Sequence, residues 1–196
     1  MRPAGAADLE AMLDTLVPAF AGDPVWGTYA FPRVEHADRQ RRGLFRLWLQ
    51  WALPHGALRV TPGCEAVAGW YAPAGAQGSA EEERQLRAFA EAELGMEAPA
   101  VLGICERLET AHPLSEPHYY LSLLGVAAAH RGRGLGLALL RASLAEIDAA
   151  GRPAYLESTN PRNLPLYEGL GFRRIGRIAL PRGGAIVDQM WRAARS

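Results

Sequence analysis

The residues of this chain whose types and spacing could do chemistry begin with Arg131-Gly132-Arg133-Gly134-Leu135-Gly136, set between the apolar run Leu121 to Val126 and Leu137-Ala138-Leu139-Leu140. In order this reads as strand, glycine-rich turn and helix. Glycines at alternate positions let a backbone curl tightly, because without a Cβ they take positive φ at little steric cost. A helix starting there offers N–H groups without intrahelical partners, together with the positive end of its dipole. Arg131 and Arg133 add guanidinium groups able to grip phosphate oxygens in pairs. The chemistry implied is the holding of an anion. A Gly-x-Gly-x-x-Gly dinucleotide fingerprint fails, because counting from Gly132 or Gly134 the last position is Leu137 or Leu139. A P-loop fails too, since it needs a lysine and the chain has none. Arg-x-x-Gly-x-Gly at a strand-to-helix turn remains, a form suited to the pyrophosphate of a longer cofactor. The plainer alternative is a tight turn whose arginines are merely solvated.

The rest of the chain must position this turn. With 196 residues, 49% of them hydrophobic, the sequence has the material for one domain, residues 1–196, with a sizeable core. Basic and acidic residues balance at 21 each, so no global field recruits nucleic acid or an acidic membrane. The lack of lysine excludes a catalytic lysine or a Schiff base. Cys64 and Cys105 have no His or Cys near them at metal-ligand spacing; both are expected to be free thiols, with no metal site. No basic n-region with an apolar h-region opens the sequence and no apolar run approaches membrane-spanning length, so a cytoplasmic location is expected.

From Asp8 as an N-cap, Leu9, Met12, Leu13, Leu16, Val17 and Phe20 fall at helical spacing, and Asp23-Pro24 ends the helix. A short aromatic stretch, Val25 to Phe31, stops at Pro32. A second helix runs from Arg39 to Leu53 and ends at Pro54-His55-Gly56. Ala57 to Thr61 and Ala66 to Tyr71 read as a hairpin, Pro73 to Ser79 as a loop, and Glu81 to Leu94 and Ala98 to Thr110 as two helices. His118 to Val126 lacks clean alternation, as a central strand covered on both faces would. The helix after the turn reaches Ala150, with Gly151 as its C-cap. A strand from Pro153 to Ser158, a short helix from Asn163 to Gly169, and strands Phe172 to Leu180 and Ala185 to Arg192 complete an α/β or α+β layered fold.

Three blocks carry a resemblance: Leu-x-x-Leu-Gly-Val at 121–126, Arg-Gly-Arg-Gly-Leu-Gly at 131–136, and the run from Tyr155 to Phe172, Tyr-Leu-Glu-Ser-Thr-Asn-Pro-Arg-Asn-Leu-Pro-Leu-Tyr-Glu-Gly-Leu-Gly-Phe. Together they resemble the GCN5-related N-acetyltransferase (GNAT) superfamily, and the third block is most similar to its puromycin N-acetyltransferase-like members. The resemblance implies a GNAT fold: a central twisted sheet, mixed and mostly antiparallel, with a splayed strand pair and helices on both faces. Residues 116–175 would then bind acetyl-CoA and residues 1–115 would mainly face the acceptor. It implies the cofactor pyrophosphate on Arg131, Gly132, Arg133, Gly134, Leu135 and Gly136, and the pantetheine arm on backbone groups of Leu124, Gly125 and Val126. Asn160 would bind the cofactor arm and Tyr167, seven residues on, would stand beside its sulfur.

The chemistry gives that tyrosine a task. A phenol of pKa about 10 can protonate a departing thiolate whose thiol has a pKa of about 8.5. An amphipathic plug in the Leu166 to Phe172 core is the alternative for Tyr167. Asn163 is expected to cap the short helix, leaving Asn160 for the cofactor. Deprotonating an amine of pKa about 10.4 at pH 7 costs about 4.6 kcal/mol, against about 1 for a pKa of about 7.7, so a strongly basic acceptor needs a base. Glu157 matches the glutamate of the puromycin-type pattern. It would bind or deprotonate the acceptor if burial raises its pKa, and otherwise serves as a structural carboxylate. His118, Tyr119 and Tyr120 begin the cofactor strand, and some should face the acceptor cavity. His36, His55 and His112 sit at turns or a helix start and read as solvated or capping, while His130 adds charge to the turn. Trp26, Trp48, Trp51 and Trp70 could wall a pocket, though Trp48 and Trp51 at helical spacing suit a core.

The expected activity is direct acetyl transfer from acetyl-CoA to a primary amine of a small molecule, by a monomer or homodimer that engages no nucleic acid and no membrane. The alternatives are a protein or peptide N-acetyltransferase of the same fold, and a non-catalytic acyl-CoA-binding sensor. Of the acidic residues in the first half, Glu81 to Glu83 read as a helix start.

Overall fold

A computed structural model describes residues 1–55, 57–73 and 78–195, less the side chain of Arg182. Its elements are β1 (Arg2–Pro3), α1 (Leu9–Ala19), α2 (Val34–Ala52), β2 (Arg59–Val60), β3 (Ala66–Tyr71), α3 (Ala80–Phe89), α4 (Ala98–Ala111), β4 (Tyr119–Val126), α5 (Leu135–Ala149), β5 (Ala154–Ser158), α6 (Leu164–Gly169), β6 (Arg173–Ala179) and β7 (Ile186–Arg192). One sheet of seven strands runs in the order β1-β2-β3-β4-β5-β7-β6. Every neighbouring pair is antiparallel except β4 and β5. No described helix is long and apolar enough to cross a membrane.

Alternation along β3 divides the interior in two. Val67 and Tyr71 enter the core under α1, α2 and α4, with Met12, Leu44 and Ile104. Ala66, Ala68 and Trp70 point the other way, into a second core under α5 and α6, with Leu139, Leu144 and Tyr167. Helices therefore cover both faces of an α/β layered fold, as expected. On the first face α1 lies close to β4 because Gly125 has no side chain: a Cβ there would meet Leu16 Cδ2 at 2.8 Å and Ala19 Cβ at 3.2 Å.

The feature that positions the site is the parting of β4 from β5. Tyr119, Tyr120 and Leu121 pair with Ala154, Tyr155 and Leu156, and there the pairing ends. Beyond it β4 follows β3 as far as Val126↔Ala66, while β5 follows β7 as far as Ser158↔Asp188. A bulge sits at the fork. Gly69 pairs with Leu123 and Trp70 with Leu121, so Ser122 has no partner of its own, and such an extra residue bends its strand. The bulge also resets the alternation of β4, which is why the apolar run there showed no simple period.

Several expectations need correction. Asp8 makes no side-chain cap for α1; it closes the preceding turn by accepting from Gly5 N–H and pairs with Arg2. The stretch after Asp23 is a π-helical turn, Pro24–Tyr29, with Asp23 as its cap. The second helix starts at Val34, earlier than Arg39. The helix expected to reach Leu94 leaves α geometry at Phe89 and continues as a π turn. β1 was not anticipated. Gly56 and residues 74–77 of the expected Pro73 to Ser79 loop lie outside the described residues.

Candidate active site

The gap between β4 and β5 opens into a cavity of about 790 Å³. At one end stands the glycine turn. Gly132 and Gly134 take φ of +76° and +73°, and open space surrounds the position each Cβ would occupy. Gly134 precedes α5, and no side chain caps that helix. A concave backbone with the exposed N-terminus of a helix is the geometry an anion requires. Gly136 permits the start of α5 to press on β4, since a Cβ there would meet Val126 Cγ2 at 3.1 Å. Leu124, Gly125, Val126, Arg131 and Gly136 line the cavity; Leu135 packs against the second core, and Gly132, Arg133 and Gly134 form the exposed rim. The Arg131 guanidinium reaches back to the carbonyls of Val126 and Ala19, at 3.4 and 3.3 Å. Arg162, which sequence reasoning passed over, lines the same end.

Asn160 and Tyr167 both reach the cavity, but Asn160 does so differently than expected. Its side chain accepts from Arg162 N–H at 3.1 Å and caps the turn Pro161–Asn163, whereas Asn163 has helical φ and ψ and caps nothing. The reason is Pro161, which holds the residue before it extended, the conformation an N-cap requires. The Asn160 amide N–H groups remain available as donors. Tyr167 is 6% exposed. Among the described residues none hydrogen-bonds its hydroxyl, and burial, then the Asp23 carboxylate, push its pKa up.

Across the gap, on the face of α1, α2 and α4, β5 presents Glu157, whose side chain is 3% exposed. Tyr120 donates to Glu157 Oε2 at 2.5 Å and Tyr155 donates to Oε1 at 2.8 Å. Tyr155 in turn accepts from Gln189 Nε2, which also donates to the Ala111 carbonyl. Burial outweighs the two tyrosine hydrogen bonds and raises the Glu157 pKa to about 7. A carboxyl poised there is half ionised at neutral pH, the condition for proton exchange.

His112 corrects another expectation. Far from being a solvated turn residue, it packs edge-on against Tyr120 and Tyr155 and stacks on His118. Its Nδ1 lies 3.9 Å from Glu157 Oε1. Burial, then His118, lower its pKa to about 4, so it is neutral. His36 and His55 are exposed, as expected. Trp26, Trp48 and Trp51 wall the cavity together with Tyr71 and Tyr120, while Trp70 lies buried in the second core. Helical spacing placed Trp48 and Trp51 inward without showing that the inside held a cavity. Glu81 to Glu83 do open a helix, with Ser79 as its cap and Glu82 accepting from Ser79 N–H, yet Glu82, Glu83 and Glu109 also line the cavity. Asp23 joins the two sides: one oxygen caps the π turn carrying Trp26, and the other accepts from Thr159 just after β5, at 2.7 Å. Cys105 borders the cavity with its thiol pushed up to about 12 by burial. Among the described residues no group of three or more His, Cys, Asp or Glu is placed to hold a metal ion.

Comparison with known proteins bears on the fold and the family. An acetyltransferase from Corynebacterium glutamicum, described as histone acetyltransferase HPA2 and related acetyltransferase, has a similar structure with a TM-score of 0.70 and 28% identity, over 100% of this chain and 96% of that one. The polyamine N-acetyltransferase of Drosophila melanogaster gives 0.64 and 18% over 97% of both chains. An agmatine N-acetyltransferase gives 0.62 and 19%, over 97% and 96%. The last two matches speak to the fold alone. The model of the Acetyltransferase (GNAT) family matches residues 63–172, more than half of the 196, from the hairpin turn before β3 to the end of the Tyr167 segment. The chain belongs to the GNAT family of acetyl-CoA-dependent acetyltransferases.

Proposed function

We propose that this enzyme moves acetyl from acetyl-CoA directly to a primary amine of a small molecule. The observation carrying this reading is the parting of β4 and β5, with an anion cradle at one end, buried Glu157 on one face and Tyr167 on the other. The turn from Arg131 to Gly136, with Arg162, would hold the pyrophosphate. Backbone of Leu124 to Val126, left without a β5 partner, would hold the arm, and Asn160 would donate to it. Acetyl-CoA supplies the activated acyl group, and the chain's own residues handle protons. Glu157, ionised above about pH 7, takes a proton from the acceptor ammonium; the amine lone pair then attacks the thioester carbonyl, the C–S bond breaks, and the Tyr167 hydroxyl protonates the departing sulfur. The amide nitrogen gives up its second proton and Tyr167 is restored. Direct transfer is favoured over a covalent relay because the Cys105 thiol, at about 12, stays protonated.

Aromatic walls with Glu82, Glu83 and Glu109 at the acceptor end suit a cationic amine rather than an anionic one. The acceptors named for the fly and agmatine enzymes are small amines, and the puromycin-like third block adds aminonucleosides to those worth testing. Thermal unfolding with saturating acetyl-CoA, then thiol release over a panel of such amines, tests the reading. Ligand at 100 times its Kd stabilises by about 2.7 kcal/mol, a rise in Tm of roughly 5–10 °C. No shift would mean that the Arg131 to Gly136 turn holds no pyrophosphate; a shift with thiol release only on peptides would replace the acceptor class.

A further inference from the structure

Transfer to an ammonium leaves one proton over per turnover, and on the reading above it rests on Glu157. That side chain is 3% exposed, so the proton has almost no direct way to water. Two imidazoles mark a way out. Nδ1 of His118 lies 2.7 Å from the carbonyl oxygen of Glu116, which can only accept, so neutral His118 carries its proton on Nδ1 and its Nε2 is bare. That Nε2 is 3.0 Å from His112 Nε2, which must therefore hold the single proton between the rings. The Nδ1 of His112 is then bare as well, and this is the nitrogen that faces Glu157. Two acceptors face one another with room for one proton between them.

We propose that His112 and His118 relay the proton of Glu157 to the surface, with His118 fixing the tautomer of His112. The O–H bond on Glu157 breaks as an N–H bond forms at His112 Nδ1. The Nε2–H of His112 breaks as one forms at His118 Nε2, and the His118 imidazolium releases a proton to water. The rings, neutral with their protons on the opposite nitrogens, reset by exchange with water when the cavity empties, since His112 lines it. The 3.9 Å between Glu157 and His112 exceeds a hydrogen bond, and one water or a small ring rotation spans it. Tyr120 from β4, Tyr155 from β5 and His118 surround His112, with Glu109 one turn back on α4. None but His118 leads outward: half-exposed, it is the one of these rings bonded to the loop carbonyl of Glu116.

The test compares His118→Phe, which keeps the ring packing, with His118→Gln, whose carbonyl can still accept from His112 but cannot pass a proton. For a primary amine of pKa about 10.4, kcat should fall roughly 10- to 100-fold in both, with the KM for acetyl-CoA unchanged and free imidazole restoring part of the rate. For an amine of pKa about 7.7 the loss should be small. In a Glu157→Gln background neither substitution should cost more. Equal losses for both amines, or losses that multiply that of Glu157→Gln, would overturn the relay and leave the transferase reading intact. Wild-type enzyme that releases no thiol with any amine would remove the reading beneath it.

Discussion

At the donor end of the gap, Val126, Arg131, Gly136, Asn160 and Tyr167 come from one continuous stretch of chain, whereas the acceptor end sets Glu157 of that stretch against Trp26, Trp48, Tyr71 and His112 from separate earlier segments. The difference lies in what fixes each group. A positive-φ glycine, a helix N-terminus and an Asx turn before proline are set by residues a few positions away. The His112–Tyr120–Tyr155–Glu157 cluster exists only once α4, β4 and β5 have packed. Donor chemistry should therefore survive changes that abolish acceptor chemistry, and the reverse.

The largest expected effect tests that separation directly. Glu157→Gln should lower kcat/KM for a strongly basic amine by roughly 10²- to 10⁴-fold while the thermal shift with acetyl-CoA is kept; loss of the shift as well would join the two ends. Arg131→Ala should raise the Kd for acetyl-CoA roughly 10- to 100-fold, as removal of a charged phosphate contact does, with the amine KM unchanged. Isothermal titration with the cofactor alone would show it.

The third effect sharpens the contrast, because the acceptor end alone holds a pair with opposed proton affinities. Glu157 rises from 4.5 to about 7 on folding, so its share of stability is lost as pH rises through that range. His112 falls from 6.5 to about 4, so its share is lost as pH falls through that range. Between about 4.5 and 6.5 the folded and unfolded pair each bind one proton, and the two slopes cancel. Glu157→Gln should leave a protein that loses stability on acidification, and His112→Phe one that loses it on alkalinisation, each by up to about 1.4 kcal/mol per pH unit. Urea melts from pH 4.5 to 7 would reveal either slope, and parallel melts for wild type and variants would deny the coupling. Smallest, Trp51→Phe gives up its hydrogen bond to Gln85, 2.6 Å long, and should change the amine KM a few-fold, on the order of 1 kcal/mol, without touching the cofactor.

The same division explains what could be read in advance. The glycine turn, the order of strands and helices, and the inward faces of α1 and α2 are local patterns, and they were legible. So was the helix start at Glu81 to Glu83. Asn160 takes the cap expected of Asn163, because a proline two residues before Asn163 moves the cap upstream. Hydrophobic spacing turns Trp48 inward on α2 and Trp70 inward on β3, but it does not say that the first side chain meets a cavity and the second a packed core. His112 carried no signal: a histidine before proline at a helix end looks solvated until β4 and β5 are laid beside it. Tyr155 could have been found, because it shares a strand face with Glu157 at i, i+2.

The fork in the sheet has a mechanical side. β5, β7 and β6 are pinned to the other strands by three residue pairs at one end of β4, while the far ends stand apart. On the reading proposed above, a cofactor arm laid along the opening would act as a clasp between the two groups of strands. By mass action, the donor's concentration would then set the fraction of molecules with the two groups unclasped. Limited proteolysis at graded acetyl-CoA would read that fraction, since cleavage follows the population of opened chains. The donor's abundance would govern how long the enzyme persists as well as how fast it works.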